Sequence, residues 1–154
     1  LVLVSCASQN DKDYFDAAQK SMESKDYATA LVNFQHIVDN FPNSEHYKFA
    51  LLQTGELNHG LVNKELSKEA SLTQAIIAYK LYQEKYPNET KAPQTLFMVG
   101  FIQANELGQL DEAKATYTKF IELYPESDMV ESAKSEIETI GLSPDEILKN
   151  KAIK

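Results

Sequence analysis

Large apolar side chains recur along this chain at steps of three or four residues, with polar residues filling the gaps between them. That spacing collects the apolar set on one face of an α-helix. The clearest instance occurs three times: Ala30, Phe34, Ile37, Phe41, Pro42; then Ala75, Tyr79, Tyr82, Tyr86, Pro87; then Ala113, Tyr117, Phe120, Tyr124, Pro125. In each copy the steps from the alanine are four, seven, eleven and twelve residues. Three large side chains therefore stack above a small one, and the proline ends the helix because it cannot continue the hydrogen-bond ladder and pushes the residue before it out of the helical region. Internal repetition of this kind predicts a stack of similar helical units.

Each copy also predicts a helix ahead of the repeated one. In the first copy it starts near Asp11, carries Tyr14, Ala17 and Ala18, and breaks around Ser24, Lys25 and Asp26, with Asp26 as N-cap of the second helix. In the second copy Ser44 is the expected N-cap, Leu51, Thr54 and Gly55 lie on the first helix, and Gly60 suits a left-handed position at its end. Ala30 and Ala75 are 45 residues apart, whereas Ala75 and Ala113 are 38 apart, so the first interval carries an insertion, placed between Leu61 and Ala70. Good helix formers at 64–70 predict helical extension there. In the third copy Pro93 falls in a first turn, Leu96, Val99 and Gly100 share a face, and Gly108 closes the helix. Asp128 is the expected cap of a helix through Met129, Ala133, Ile137 and Ile140 that stops at Gly141 and covers the last repeat. Ser143, Pro144 and Glu146 form a capping box for a final short helix to about residue 150, followed by a frayed tail.

The second-helix residues resemble the tetratricopeptide repeat, in which W-x2-L-G-x2-Y on a first helix precedes A-x3-F and then proline on a second. All three copies match the second-helix half. In the first-helix half the tryptophan position holds Tyr14, Leu51 and Leu96, the L-G pair reads Ala17-Ala18, Thr54-Gly55 and Val99-Gly100, and the tyrosine position holds Ser21, Asn58 and Gln103. The third copy takes eight steps from Gly100 to Gly108 where the family takes about seven. The resemblance covers about residues 11–140 and implies an all-α, tetratricopeptide-type right-handed superhelix of three helix pairs plus a C-terminal capping helix. The repeated alanine is expected where the two helices of a pair cross closely, and the aromatic residues are expected in the core rather than around a cofactor.

Composition narrows the partners. The formal net charge is -8, all 15 basic residues are lysine, and they are scattered among 23 carboxylates. Nucleic acid is disfavoured, since phosphate recognition draws on clustered basic faces and the arginine fork. An anionic lipid surface is disfavoured on the same ground. His36, His46 and His59 lack metal-ligand spacing, the glycines stand singly rather than in a phosphate loop, and no serine sits in a nucleophile elbow. No metal, cofactor or catalytic residue is expected.

Leu1-Val2-Leu3-Val4-Ser5-Cys6 is too short to span a bilayer. Its last four residues resemble the bacterial lipobox, which implies cleavage before Cys6 and lipidation of its thiol, anchoring the chain to a membrane. The expected organisation is then the end of a signal segment at 1–6, a polar linker at 7–10, repeats with the capping helix at 11–141, and a short terminal helix and tail at 142–154. Lipobox, few repeats and aromatic-proline helix ends together resemble the envelope lipoproteins of the BamD and CpoB/YbgF families. The former carry more repeats, and the latter an N-terminal coiled coil that this chain does not show. The resemblance implies a periplasm-facing lipoprotein, with the outer membrane favoured because Ala7, not aspartate, follows Cys6.

In tetratricopeptide domains first helices line a concave groove. By resemblance the partner-binding positions are Phe15, Gln19 and Met22, then Leu52, Glu56 and His59, then Phe97, Phe101 and Asn105. The expected function is a non-catalytic scaffold or adaptor for other envelope proteins. Two alternatives stand beside it: a soluble cytoplasmic repeat scaffold, and an accessory subunit of an envelope enzyme complex acting on peptidoglycan or in outer-membrane assembly. Self-association stays open, because the end of a helical stack can meet a second copy.

Overall fold

The computed structural model describes residues 10–152, with α-helices α1 (Asp11–Glu23), α2 (Tyr27–Asn40), α3 (Tyr47–His59), α4 (Lys68–Lys85), α5 (Ala92–Phe101), α6 (Leu110–Leu123), α7 (Val130–Thr139) and α8 (Pro144–Ala152). There is no strand among the described residues. The first copy of the motif spans α1 and α2, the second α3 and α4, the third α5 and α6, and α7 follows as the cap. This is a tetratricopeptide-type helical repeat, as the resemblance implies. The lipobox residues and Cys6 lie outside the described residues.

The chain divides within α4, between Ala78 and Tyr79, into two compact units. In the first, α2 packs on both α1 and α3 around Ala18, Ala30, Leu31, Phe34, Ile37, Ala50 and Leu57. In the second, α6 packs on α5 and α7 around Leu96, Ala113, Tyr117, Phe120 and Ala133. The repeated alanines Ala30, Ala75 and Ala113 are all wholly buried, and so are the aromatic or aliphatic residues four and seven positions on, apart from a few per cent at Tyr79 and Tyr82. Small residues let helix axes approach. The limit is reached at Gly100, where an added Cβ would stand 2.8 Å from Cε1 of Tyr117.

The aromatic-proline pair ends each second helix in the same way. Phe41, Tyr86 and Tyr124 each donate their N–H to the carbonyl four residues back, at 2.9 Å. Each then accepts from the residue three positions on: Ser44 at 3.0 Å, Glu89 at 3.1 Å and Ser127 at 3.0 Å. Proline at the second position of such a turn is preset in φ. The carbonyls of Ser44, Glu89 and Ser127 next accept from Tyr47, Ala92 and Val130, so a second turn leads directly into the following helix. Ser44 therefore does not cap α3 itself. Its hydroxyl accepts from the His46 N–H at 2.9 Å, inside the leading turn, and donates to Asp11 Oδ2 at 2.6 Å, latching the start of α1. Ser127 takes the corresponding place ahead of α7, accepting from Met129 N–H at 3.3 Å, where Asp128 was the expected cap.

The first helices end less uniformly. Asp26 caps α2 through Thr29 N–H at 3.2 Å, as expected. At the end of α3 Gly60 stays right-handed at φ -69°, and Leu61 takes the left-handed turn at φ 54°. Leu61 N–H bonds to Asn58 O at 3.0 Å and Val62 N–H to Leu57 O at 3.4 Å, a Schellman closure in which Val62 packs against the core containing Leu57. That contact holds Leu61 in a region costing an L-residue about 1–2 kcal/mol. The insertion is not helical up to Ser67. Asn63 Oδ1 accepts from Glu65 N–H at 3.0 Å in an Asx turn, and Ser67 Oγ accepts from Ala70 N–H at 3.1 Å, so the helix begins only at Lys68. Local side-chain bonds here override the helix propensity of 64–67.

The extra step of the third copy is absorbed by a π-helical segment, Ile102–Glu106, following α5. Leu107 N–H reaches Ile102 O at 3.0 Å, five residues back, and Gly108 then turns left-handed at φ 67°. The segment is tied to α6 by a buried bond from Thr116 Oγ1 to Gln103 Oε1 at 2.7 Å. Capping by Ser143 and Glu146 starts α8 as expected, with Ser143 N–H donating to Glu146 Oε2 at 2.7 Å.

Helix propensity alone favours Gly100→Ala by about 1 kcal/mol. The Tyr117 ring reverses the sign, and we expect a loss of about 1–3 kcal/mol in urea unfolding; unchanged stability would mean that the two helices part freely. The Tyr117 hydroxyl is buried without a hydrogen-bond partner among the described residues, and burial, with Glu136 adding to it, raises its pKa. Tyr117→Phe should therefore be neutral or stabilising by up to about 1 kcal/mol in the same measurement, and a clear loss would show that the hydroxyl is bonded.

Candidate functional site

The motif residues are spent on packing, so any binding surface is built from what surrounds them. Among the nine first-helix candidates, Phe15, Met22 and Phe97 pack on the two cores described above. Phe15 lies half-buried against the first core, stacked on the His46 ring at 4.1 Å and edge-on to Phe34 at 6.3 Å. Met22 packs on the same core. Phe97 stands edge-on to Tyr117 at 5.2 Å and Phe120 at 5.7 Å. Gln19, Leu52, His59 and Phe101 are half-buried, and Glu56 and Asn105 are exposed. Glu56 accepts from Gln53 Nε2 at 2.6 Å, and Asn105 donates to Phe101 O at 3.3 Å from within the π-helical segment. Phe15, Gln19, Met22, Leu52, Glu56 and His59 belong to the first unit and Phe97, Phe101 and Asn105 to the second.

The sequence reading missed a cleft in the first unit, with a volume of about 520 Å³. From α2 it is lined by Leu31, Val32, Gln35 and Asp39. Asn58 near the end of α3, Asn63 and Leu66 in the insertion, and Gln74 on α4 complete it. The available signal was the difference in repeat spacing: the residues that break the period supply one side of the cleft. His36 also lines it, but one face of its ring is occupied by Tyr14, stacked at 3.8 Å.

Charged groups at the helix starts are tuned by hydrogen bonds. The hydrogen bond from Ser44 holds the Asp11 carboxyl below its ordinary range, the bond to Thr29 does the same for Asp26, and Ser143 does so for Glu146. No group of histidine, cysteine and carboxylate side chains able to hold a metal ion occurs among the described residues. No described helix is long and apolar enough to cross a membrane.

Successive helix pairs with buried motif residues, followed by a capping helix, define a tetratricopeptide-type helical repeat protein. Over residues 7–142 the chain matches the family described as YfiO, outer membrane lipoprotein. It belongs to that family, and the outer membrane is its place in the envelope. No individual curated protein matches the chain.

A carboxyl whose pKa is lowered on folding contributes stability that is complete above its unfolded value and is lost as pH falls through its folded value. Stability should therefore decline as pH drops below about 4. In urea unfolding between neutral and acidic pH, Ser44→Ala should show a shallower decline than the wild type, because the Asp11 contribution is already gone; parallel profiles would mean that the latch does not hold that carboxylate.

Proposed function

We propose that the chain is a non-catalytic adaptor of the outer membrane, tethered through a lipid on Cys6 and holding segments of other envelope proteins on the exposed positions of its first helices. The support is the membership of an outer membrane lipoprotein family over residues 7–142 in a chain whose repeated residues are consumed by packing. In the first unit Glu56 is exposed and Leu52 half-buried on one helix, and in the second Asn105 is exposed and Phe101 half-buried, so each unit offers polar and apolar contacts. In this reading Gln19, Leu52, Glu56, His59, Phe101 and Asn105 touch the partner, while Phe15, Met22 and Phe97 support them from beneath.

The test is affinity capture from native envelopes with the lipidated chain, compared with a Glu56→Lys, Asn105→Lys variant of unchanged helical spectrum. Both substituted positions are exposed, so the fold should survive. A defined envelope complex recovered by the wild type and depleted by the variant is the expected result, and equal recovery would remove the first-helix faces from the proposal. Intact mass of membrane-extracted protein checks the tether: an unmodified Cys6 would end that part of the reading.

A further inference from the structure

The cleft of the first unit shares no residue with the first-helix positions above, and its chemistry selects a ligand. Four carboxamides line it: Gln35, Asn58, Asn63 and Gln74. Asn58 is 4% exposed, and its Nδ2 donates to Thr54 O at 2.9 Å, with no donor to Oδ1 among the described residues. Gln35 donates Nε2 to Asp39 Oδ1 at 2.8 Å and keeps its carbonyl oxygen. Asn63 spends Oδ1 on the Glu65 N–H and keeps its NH₂ group. Acceptors on Gln35 and Asn58 and a donor group on Asn63 thus line one hollow, and a group that presents both kinds of partner is the peptide unit. The apolar contribution is aliphatic and open, with Val32 67% and Leu66 40% exposed.

Sugars also bind to amides, but they rest on aromatic faces, and this lining holds a single aromatic ring, His36, with one face already covered by Tyr14. The charge points the same way. Asp39 is the one carboxylate of the lining, no lysine accompanies it, and the chain as a whole carries -8. An occupant with cationic side chains is attracted, and an acidic one is repelled.

We propose that this cleft binds an extended, lysine- or arginine-bearing peptide segment of a partner protein. The carboxamides of Gln35, Asn58, Asn63 and Gln74 pair with the segment's main chain. An aliphatic side chain of the segment rests on Val32 and Leu66, and a cationic one approaches Asp39. Main-chain bonds supply affinity and the two side-chain contacts supply selectivity. The volume lies in the range of about 300–1,000 Å³ typical of ligand clefts.

The experiment is a titration of the ¹⁵N-labelled full chain, followed through its side-chain amide resonances. The probe is an acetylated, amidated octapeptide with two lysines and two valines among glycines and serines. Its glutamate-for-lysine counterpart and chitotriose serve as the other arms. The expected result is saturable movement of the Gln35, Asn58, Asn63 and Gln74 amide signals with the basic peptide alone, weakened about tenfold by Gln74→Ala, the scale of one lost hydrogen bond. Gln74 is exposed, so this variant keeps its fold and the comparison stands. Movement with the acidic peptide or chitotriose but not with the basic peptide overturns the assigned occupant. Absence of movement, movement confined to other residues, or equal binding by Gln74→Ala overturns the site. None of these readings depends on partner capture by the first-helix faces, so the two proposals fail separately.

Discussion

The close crossing of two helices at small residues is the constraint on which the rest of each unit depends. In the second unit the Tyr117 ring lies where a side chain on Gly100 would otherwise stand. In the first, wholly buried Ala18 and Ala30 share a core with Phe34 and Ile37. Once the axes approach this closely, the large residues four and seven positions beyond each alanine have one place to go, between neighbouring helices. Interiors are packed nearly as tightly as crystals, so the crossing fixes the large side chains and they in turn fix which helix faces remain for other uses.

The aromatic-proline turn supplies the second half of that logic. The same two successive turns follow Phe41, Tyr86 and Tyr124, and each delivers the chain to the next helix with no free loop between. Tyr124 adds a bond of its own: its hydroxyl donates to Pro87 O at 3.1 Å and accepts from Gln83 at 3.3 Å, so the end of α6 is clamped to the end of the preceding copy within the second unit. One aromatic position thus terminates its helix through its backbone and ties two copies together through its side chain.

The second helices were legible in the sequence because their information is in volume and spacing: an alanine, three large residues and a proline at fixed steps admit one helical face and one end. First-helix ends were less legible because they are decided by single hydrogen bonds. Glycine's freedom points to Gly60 as the left-handed residue, yet the turn falls on Leu61, because the contact of Val62 with the core decides it. The extra residue between Gly100 and Gly108 is countable, but whether it becomes a loop, a bulge or a π turn depends on whether Gln103 finds Thr116, thirteen residues on. The segment 64–70 reads as helix by propensity, but its first part forms turns because Asn63 and Ser67 bond locally instead, and the helix begins only at Lys68.

The same distinction separates the two surfaces considered for binding. First-helix positions could be named from the repeat register, yet the register does not say which of them the core claims, and Phe15, Met22 and Phe97 are claimed. The carboxamide cleft could not be named at all, since it joins α2 to the end of α3, the insertion and α4, residues up to 43 positions apart from Leu31 to Gln74. A strictly periodic stack would present the same outer surface at every copy and so could not mark one place for a ligand. The insertion after α3 breaks that equivalence. It brings Asn63 and Leu66 over the outer side of α2, beside an Asn58 that occupies the family's tyrosine position and keeps an unspent carbonyl. Where the copies agree, the residues are spent on each other; selectivity has to be sought where they differ.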